Sequence, residues 1–204
     1  MFNLSSNSRD ARRELDALVH RQLPFAMSVA LTETARDIET NVNKRIARAF
    51  DRPTPFTQRA VFVKPASKTR PIALVGIKDK QAEYLEIQET GGTRLPRRRA
   101  LVLPVQAKVN QYGNLPRAAV SRALARKDTF SGKIGGVAGI WQRRKPGKRG
   151  KSDDADKAKL LFAYEPTASY RPRFRFAETA DKTAQARFPT QFWRALDRAL
   201  ATGR

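Results

Sequence analysis

Across residues 24–50 the apolar side chains of Met27, Leu31, Ala35, Ile38, Val42 and Ile46 recur every three or four positions. That period aligns side chains along one face of a helix. Arg36, Asp37, Glu39, Asn43, Lys44 and Arg45 fall on the other side, which is expected to face water. The run DRPTP at 51–55 stops the helix, since proline lacks an amide hydrogen and restricts its predecessor. RAVFVKP and RPIALVGI are short β-branched and aromatic runs bounded by Pro, Ser and Gly. They predict an antiparallel pair of strands joined by a basic loop.

Further along, KQAEYLEIQET places Tyr84, Leu85 and Gln88 at helical spacing and is followed by Gly91, a residue suited to the left-handed conformation that ends helices. ALVLPV predicts a strand. LPRAAVSRALARK, over 115–127, predicts a helix, with proline near its start and basic residues near its end. TFSGKI and VAGIWQ flank Gly135 and Gly136, a hairpin signal because primed turns need positive φ. LLFAYEP predicts another strand. FAETADKTAQARFPTQFWRALDRALA predicts a closing helix, broken before Pro189, with Phe188, Phe192, Leu196 and Leu200 on one stripe. The pattern is α+β: a mostly antiparallel sheet packed by a long N-terminal helix and a C-terminal helix. It divides into an N-terminal extension over 1–23 and a single domain over 24–204, with a flexible basic insertion at about 143–158, where RRKPGKRGKSDDADKAK has no hydrophobic period.

Composition sharpens this picture in two ways. With 41 Lys and Arg against 19 Asp and Glu, the formal charge is +22, a field that attracts polyanions or acidic protein surfaces. Zero cysteines remove disulfides, thiolate metal sites and a cysteine nucleophile. The sequence shows neither an apolar run of membrane-spanning length nor the apolar core of a secretory signal, so neither a membrane nor that export route is expected.

The sequence offers little catalytic chemistry. His20 is the single histidine and lies beside Arg21 in a polar segment, and no serine has a nucleophile motif around it. Glu83, Glu86 and Glu89 share a helix face at a spacing of three; acid–base or metal work is weighed there against a solvated face pairing with arginines, and the latter is preferred. SDDAD at 152–156 lacks the glycine and distal glutamate that a calcium loop needs. GKIGGVAG lies between strands and not at a helix start, so it does not form a phosphate cradle. The expectation is a protein without catalysis and without a cofactor. Two basic clusters remain as candidate interface or polyanion-binding residues: Arg94, Arg97, Arg98 and Arg99, then Arg143, Arg144, Lys145, Lys148, Arg149 and Lys151. The aromatics Phe174, Phe176, Phe188, Phe192 and Trp193 fall mostly at core-like spacing and do not alternate with arginine as on a base-stacking platform.

Several segments taken in order carry a resemblance. An amphipathic helix at FAMSVALTETARDIETNV is followed by the joint YLEIQETGGTRLP, the strand LVLPV, a basic insertion, and LLFAYEPTASYRPRFRFAETADK leading into the last helix. Over 24–198 this order resembles the small minor-tail, tail-completion and head–tail joining proteins of tailed bacteriophages, of the lambda minor tail protein Z type. Glu89, Gly91, Gly92 and Arg94 match the joint, and Tyr170, Pro172, Phe174 and Phe176 match the aromatic and proline segment before the final helix. The resemblance implies a structural virion protein at the tail or head–tail junction, assembled in host cytoplasm. It also implies a homo-oligomeric ring contacting tail, neck or connector proteins, with packaged DNA as an alternative contact of the basic clusters. A non-specific nucleic-acid-binding protein is the competing reading, motivated by charge alone.

Overall fold

The computed structural model describes residues 18–96, 99–143 and 158–202, together with residues 12, 13 and 16. The chain divides into two compact units. The first comprises the described residues through Leu85 and again from Phe174; the second is Glu86–Arg173. The chain is α+β, with helices α1 (Leu23–Ala49), α2 (Pro55–Gln58), α3 (Asp79–Thr90), α4 (Ala119–Leu124) and α5 (Phe176–Thr202). Its strands are β1 (Val61–Lys64), β2 (Leu74–Ile77), β3 (Gly92–Arg94), β4 (Leu101–Pro104), β5 (Thr129–Ile134), β6 (Val137–Gln142), β7 (Lys159–Glu165) and β8 (Ala168–Tyr170). All strand pairs are antiparallel.

In the first unit α1 follows one wide π-helical turn, Leu18–Gln22, and runs antiparallel to α5. Asn41 donates to Thr183 at 3.1 Å, while Asp37 accepts from Arg187 and Gln191, farther along α5. The buried positions of α1 are Ala26, Ser28, Ala30, Thr34, Ala35, Ile38, Val42 and Ile46. Met27 and Leu31, expected on the packed stripe, are only half-buried. Ala26 and Ala30 take their place because they meet Ala195 and Ala199 of α5, and small residues let two helix backbones approach closely where Met or Leu would hold them apart. Toward its C-terminal end α1 packs on larger side chains: Ile38, Val42 and Ile46 form a core with Ala60, Val61, Leu85 and Phe174. The β1–β2 pair, with Val61 opposite Ile77, belongs to this unit, and α2, capped by the Thr54 hydroxyl, was not legible as a helix in DRPTP.

Helix α5 corrects the expected break, for it continues through Pro189. Proline withholds one backbone donor and leaves the carbonyl four residues earlier, that of Gln185, without its helical partner. Both Pro189 and Gln185 are exposed, so water can serve that carbonyl. Thr183 on one side of the proline and Gln191 on the other are each tied to α1, which holds the helix together across it. The expected stripe is also adjusted: Ala195 and Ala199 are buried, Phe188, Phe192 and Leu196 pack partly, and Leu200 is exposed. Trp193, assigned core-like spacing, is 62% exposed.

The second unit is built on a four-stranded sheet in the order β4-β7-β6-β5, so β4 and β5 are its edges. Gly135 and Gly136, both at positive φ, close the β5–β6 hairpin as expected. A bulge between Ile140 and Trp141 interrupts the β6–β7 register. Ile140, Leu161 and Phe162 pack with Ala123 of α4, joined at the margin by Val102, Tyr164 and Leu115. Helix α4 covers six residues only, where 115–127 was expected; the cause is Ala118 at φ 59, a left-handed conformation that the preceding residues cannot continue as helix. Strands β3 and β8, missed in the sequence because each has only three residues, pair with one another.

Gly91 ends α3 at φ 73, and a Cβ there would lie 2.8 Å from Pro172 Cδ. Arg173 then donates through its backbone N–H to the Gln88 carbonyl at 2.9 Å and through Nε to Gln88 Oε1 at 2.8 Å. The double glycine is therefore a helix stop beside a returning strand. No helix among the described residues is long and apolar enough to cross a membrane.

Candidate functional site

The two basic clusters do not converge where the structure describes them. Arg94 is exposed on β3, and Arg99 is exposed just before β4. Arg97 and Arg98 lie outside the described residues, as do Arg144, Lys145, Lys148, Arg149 and Lys151 and most of the insertion expected at 143–158. Arg143 follows β6, where its guanidinium stands 5.1 Å over the Phe130 ring and its backbone N–H donates to the Asp128 carbonyl at 2.8 Å. Leu101 pairs with Glu165 at one end of β7, and Gln142 pairs with Lys159 at the other. Arg99 and Arg143 therefore flank opposite ends of the sheet, beyond the ends of β7, which itself spans roughly 20 Å at the rise of a β-strand.

At the Lys159 end the fold gathers other cations. Lys108, Arg122, Arg126 and Lys159 line a cavity of about 480 Å³ whose apolar walls include Ala107, Ala119, Ala123 and Leu161. Arg122 and Arg126 share one side of α4 and its exit because they are four residues apart. Lys159 opens β7, and Lys108 follows β4 closely; the Val105 and Gln106 amides both donate to the Leu161 carbonyl, which brings that segment alongside β7. None of this was assigned from the sequence. The Arg-x-x-x-Arg spacing was the one available signal, since the approach of Lys108 and Lys159 depends on strand pairing across more than fifty residues.

The four cations differ in freedom. Arg126 is neutralised by Asp128, whose carboxylate accepts from Nε at 2.9 Å and Nη2 at 2.7 Å. Gln142 Nε2 donates to the same carboxylate at 2.8 Å. These bonds, that of Arg126 first, lower the Asp128 pKa from 3.8 to about 2, and Asp128 in turn raises that of Arg126. Arg122 is held by its own backbone, donating to the Arg117 carbonyl at 2.8 Å and that of Ala118 at 3.3 Å. Among the described residues Lys108, Arg122 and Lys159 form no ion pair, so the mouth presents three uncompensated charges.

The acidic and histidine candidates stay apart from this site. His20, Glu83 and Glu86 are exposed and Glu89 is half-buried. Among the described residues no three His, Asp or Glu side chains gather as a metal site would require. A larger but more open hollow in the first unit, of about 630 Å³ beside the exposed Phe56, is bordered by Arg59, Lys78 and Lys80; there the Lys78 ammonium is already committed to the Arg59 carbonyl at 2.7 Å. Compared with protein-family models, with curated proteins and with solved structures, the chain matches none.

Proposed function

We propose that the protein is a non-enzymatic structural component of a tailed-phage virion, acting at the tail or head–tail junction through contacts with neighbouring proteins. Contact with neighbouring proteins is supported by strand β4 at the edge of its sheet, while the phage setting rests on the order of segments alone. Leu103 is 43% exposed and Val105, which follows the strand's terminal Pro104, is 51% exposed, with Arg99 before them and Lys108 after. The backbone edge is blunted by the strand's shortness and by Pro104, so it is the exposed apolar side chains that invite a partner. Leu95, Val109, Leu124 and Val137 add exposed apolar positions to the same unit. Apolar area interspersed with cations suits an acidic protein neighbour, whereas nucleic acid would use the charge and leave the leucines and valines in water. The order of segments resembling tail-completion and joining proteins supports the setting; a homo-oligomeric ring would supply the repeated neighbours.

Removal of the gene from a phage genome that carries it tests the reading. The expected result is unjoined heads and tails, or tails of abnormal termination; normally joined, infectious particles would refute it. The nucleic-acid alternative, favoured by the charge of +22, predicts binding to random duplex DNA with a log–log salt slope of about −5 if about six phosphates are neutralised.

A further inference from the structure

We infer that the cavity beside β7 is a docking site for an acidic segment of a partner protein, one that inserts an apolar side chain between flanking carboxylates. This rests on the reading of the protein as an assembly component and names the chemistry of one partner. The volume of about 480 Å³ lies within the range of about 300–1,000 Å³ common to ligand pockets. Its interior is aliphatic: Leu161 and Ala123 are buried side chains at the wall, and Ala107 and Ala119 are half-buried beside them. Its mouth is cationic through Lys108, Arg122 and Lys159, none paired with a carboxylate among the described residues.

Those two properties together select the occupant. A nucleic-acid backbone is a line of phosphates with no apolar group to fill the interior. Stacking of a base would need an accessible aromatic face, yet among the described residues the one ring at the wall, Phe162, is 2% exposed. A peptide with a leucine or phenylalanine between glutamates or aspartates satisfies both zones at once, with the anchor desolvated and the carboxylates kept near water at the rim. The chain's own 144–157 stretch is poorly matched by charge, since Arg144, Lys145, Lys148, Arg149, Lys151 and Lys157 outnumber Asp153, Asp154 and Asp156.

The test is fluorescence anisotropy of the full chain with a short labelled peptide of glutamate and glycine carrying one central leucine. Its controls are the same peptide with serine in place of leucine and a duplex DNA of equal charge. The leucine peptide should bind about tenfold tighter than the serine peptide. Lys108→Glu with Lys159→Glu should weaken it at least tenfold, whereas Lys133→Glu with Lys80→Glu, the same change of charge elsewhere, should leave it within about twofold. Ala119→Leu, which fills the interior and keeps every charge, should abolish the preference for leucine over serine. Equal affinity of the two peptides, equal losses from both charge reversals, or competition by DNA as effective as by the leucine peptide would each overturn the inference. The functional reading is judged separately by gene removal: joined, infectious particles would refute that reading with peptide binding intact, and unjoined particles with no leucine preference would refute this inference alone.

Discussion

Arg45 donates its Nε–H to the backbone carbonyl of Phe174 at 3.0 Å, across 129 positions of sequence. The bond ties the C-terminal half of α1 to the point where the chain re-enters the first unit. Phe174 itself is 2% exposed and stands 5.9 Å from the Phe50 ring and 6.0 Å from the Phe176 ring. Arg45→Met keeps the aliphatic stem and removes the donor, so a partly buried carbonyl loses a charged partner. Urea unfolding should show a loss of about 1.5–3 kcal/mol, and an unchanged midpoint would mean that the carbonyl finds another donor.

Ile38 is 9% exposed within the core that also holds Val42, Ile46 and Leu85. Ile38→Asp would place an unpaired carboxylate among them, at a cost of several kcal/mol. Circular dichroism should report loss of cooperative thermal unfolding; a melt like the parent's would show that α1 is not a core element of the isolated chain.

The alanines that seat α1 against α5 set a steric limit. Ala30 is fully buried and Ala199 is 3% exposed. Ala199→Leu should therefore destabilise by about 1–3 kcal/mol through overpacking, despite adding apolar surface. Calorimetry decides, and a raised melting temperature would show that the helix pair has room to spare.

Asp128 supplies a pH signature. Its carboxyl is held at about 2 in the folded chain against an ordinary 3.8. A folded pKa below the unfolded one means that the pairing with Arg126 and Gln142 contributes fully above the unfolded value and is lost as pH falls through the folded one. The stability difference between the parent and Asp128→Asn should be constant at neutral pH and shrink from about pH 4 toward about pH 2. A difference independent of pH across that window would contradict the assignment.

Gly91 is constrained twice, by φ 73 and by Pro172. Gly91→Ala should cost about 1–3 kcal/mol, measured by urea unfolding. A neutral effect would show that the α3 terminus relaxes freely.

The α+β class, the long helix ending before DRPTP, the β1–β2 pair, the glycine stop after α3 and the hairpin at Gly135 and Gly136 were all legible, because each depends on local periodicity or on the backbone freedom of one or two residues. The phase of helix packing was not. Whether Met27 or Ala26 turns inward depends on Ala195 and Ala199 arriving opposite, and Asp37 and Arg45 left the solvent side because α5 and Phe174 offered partners. The same division runs through the candidate site. The excess of positive charge and its two linear clusters are properties of composition, whereas the meeting of Lys108, Arg122 and Lys159 over an aliphatic cavity is created by the pairing of β4 with β7 and the packing of α4 on the sheet. Sequence alone determined which short segments could be helix or strand and that the chain carries a strong positive field. Tertiary structure decided which charges stand together, since strand register and helix approach are set by contacts between residues too far apart for any local pattern to record.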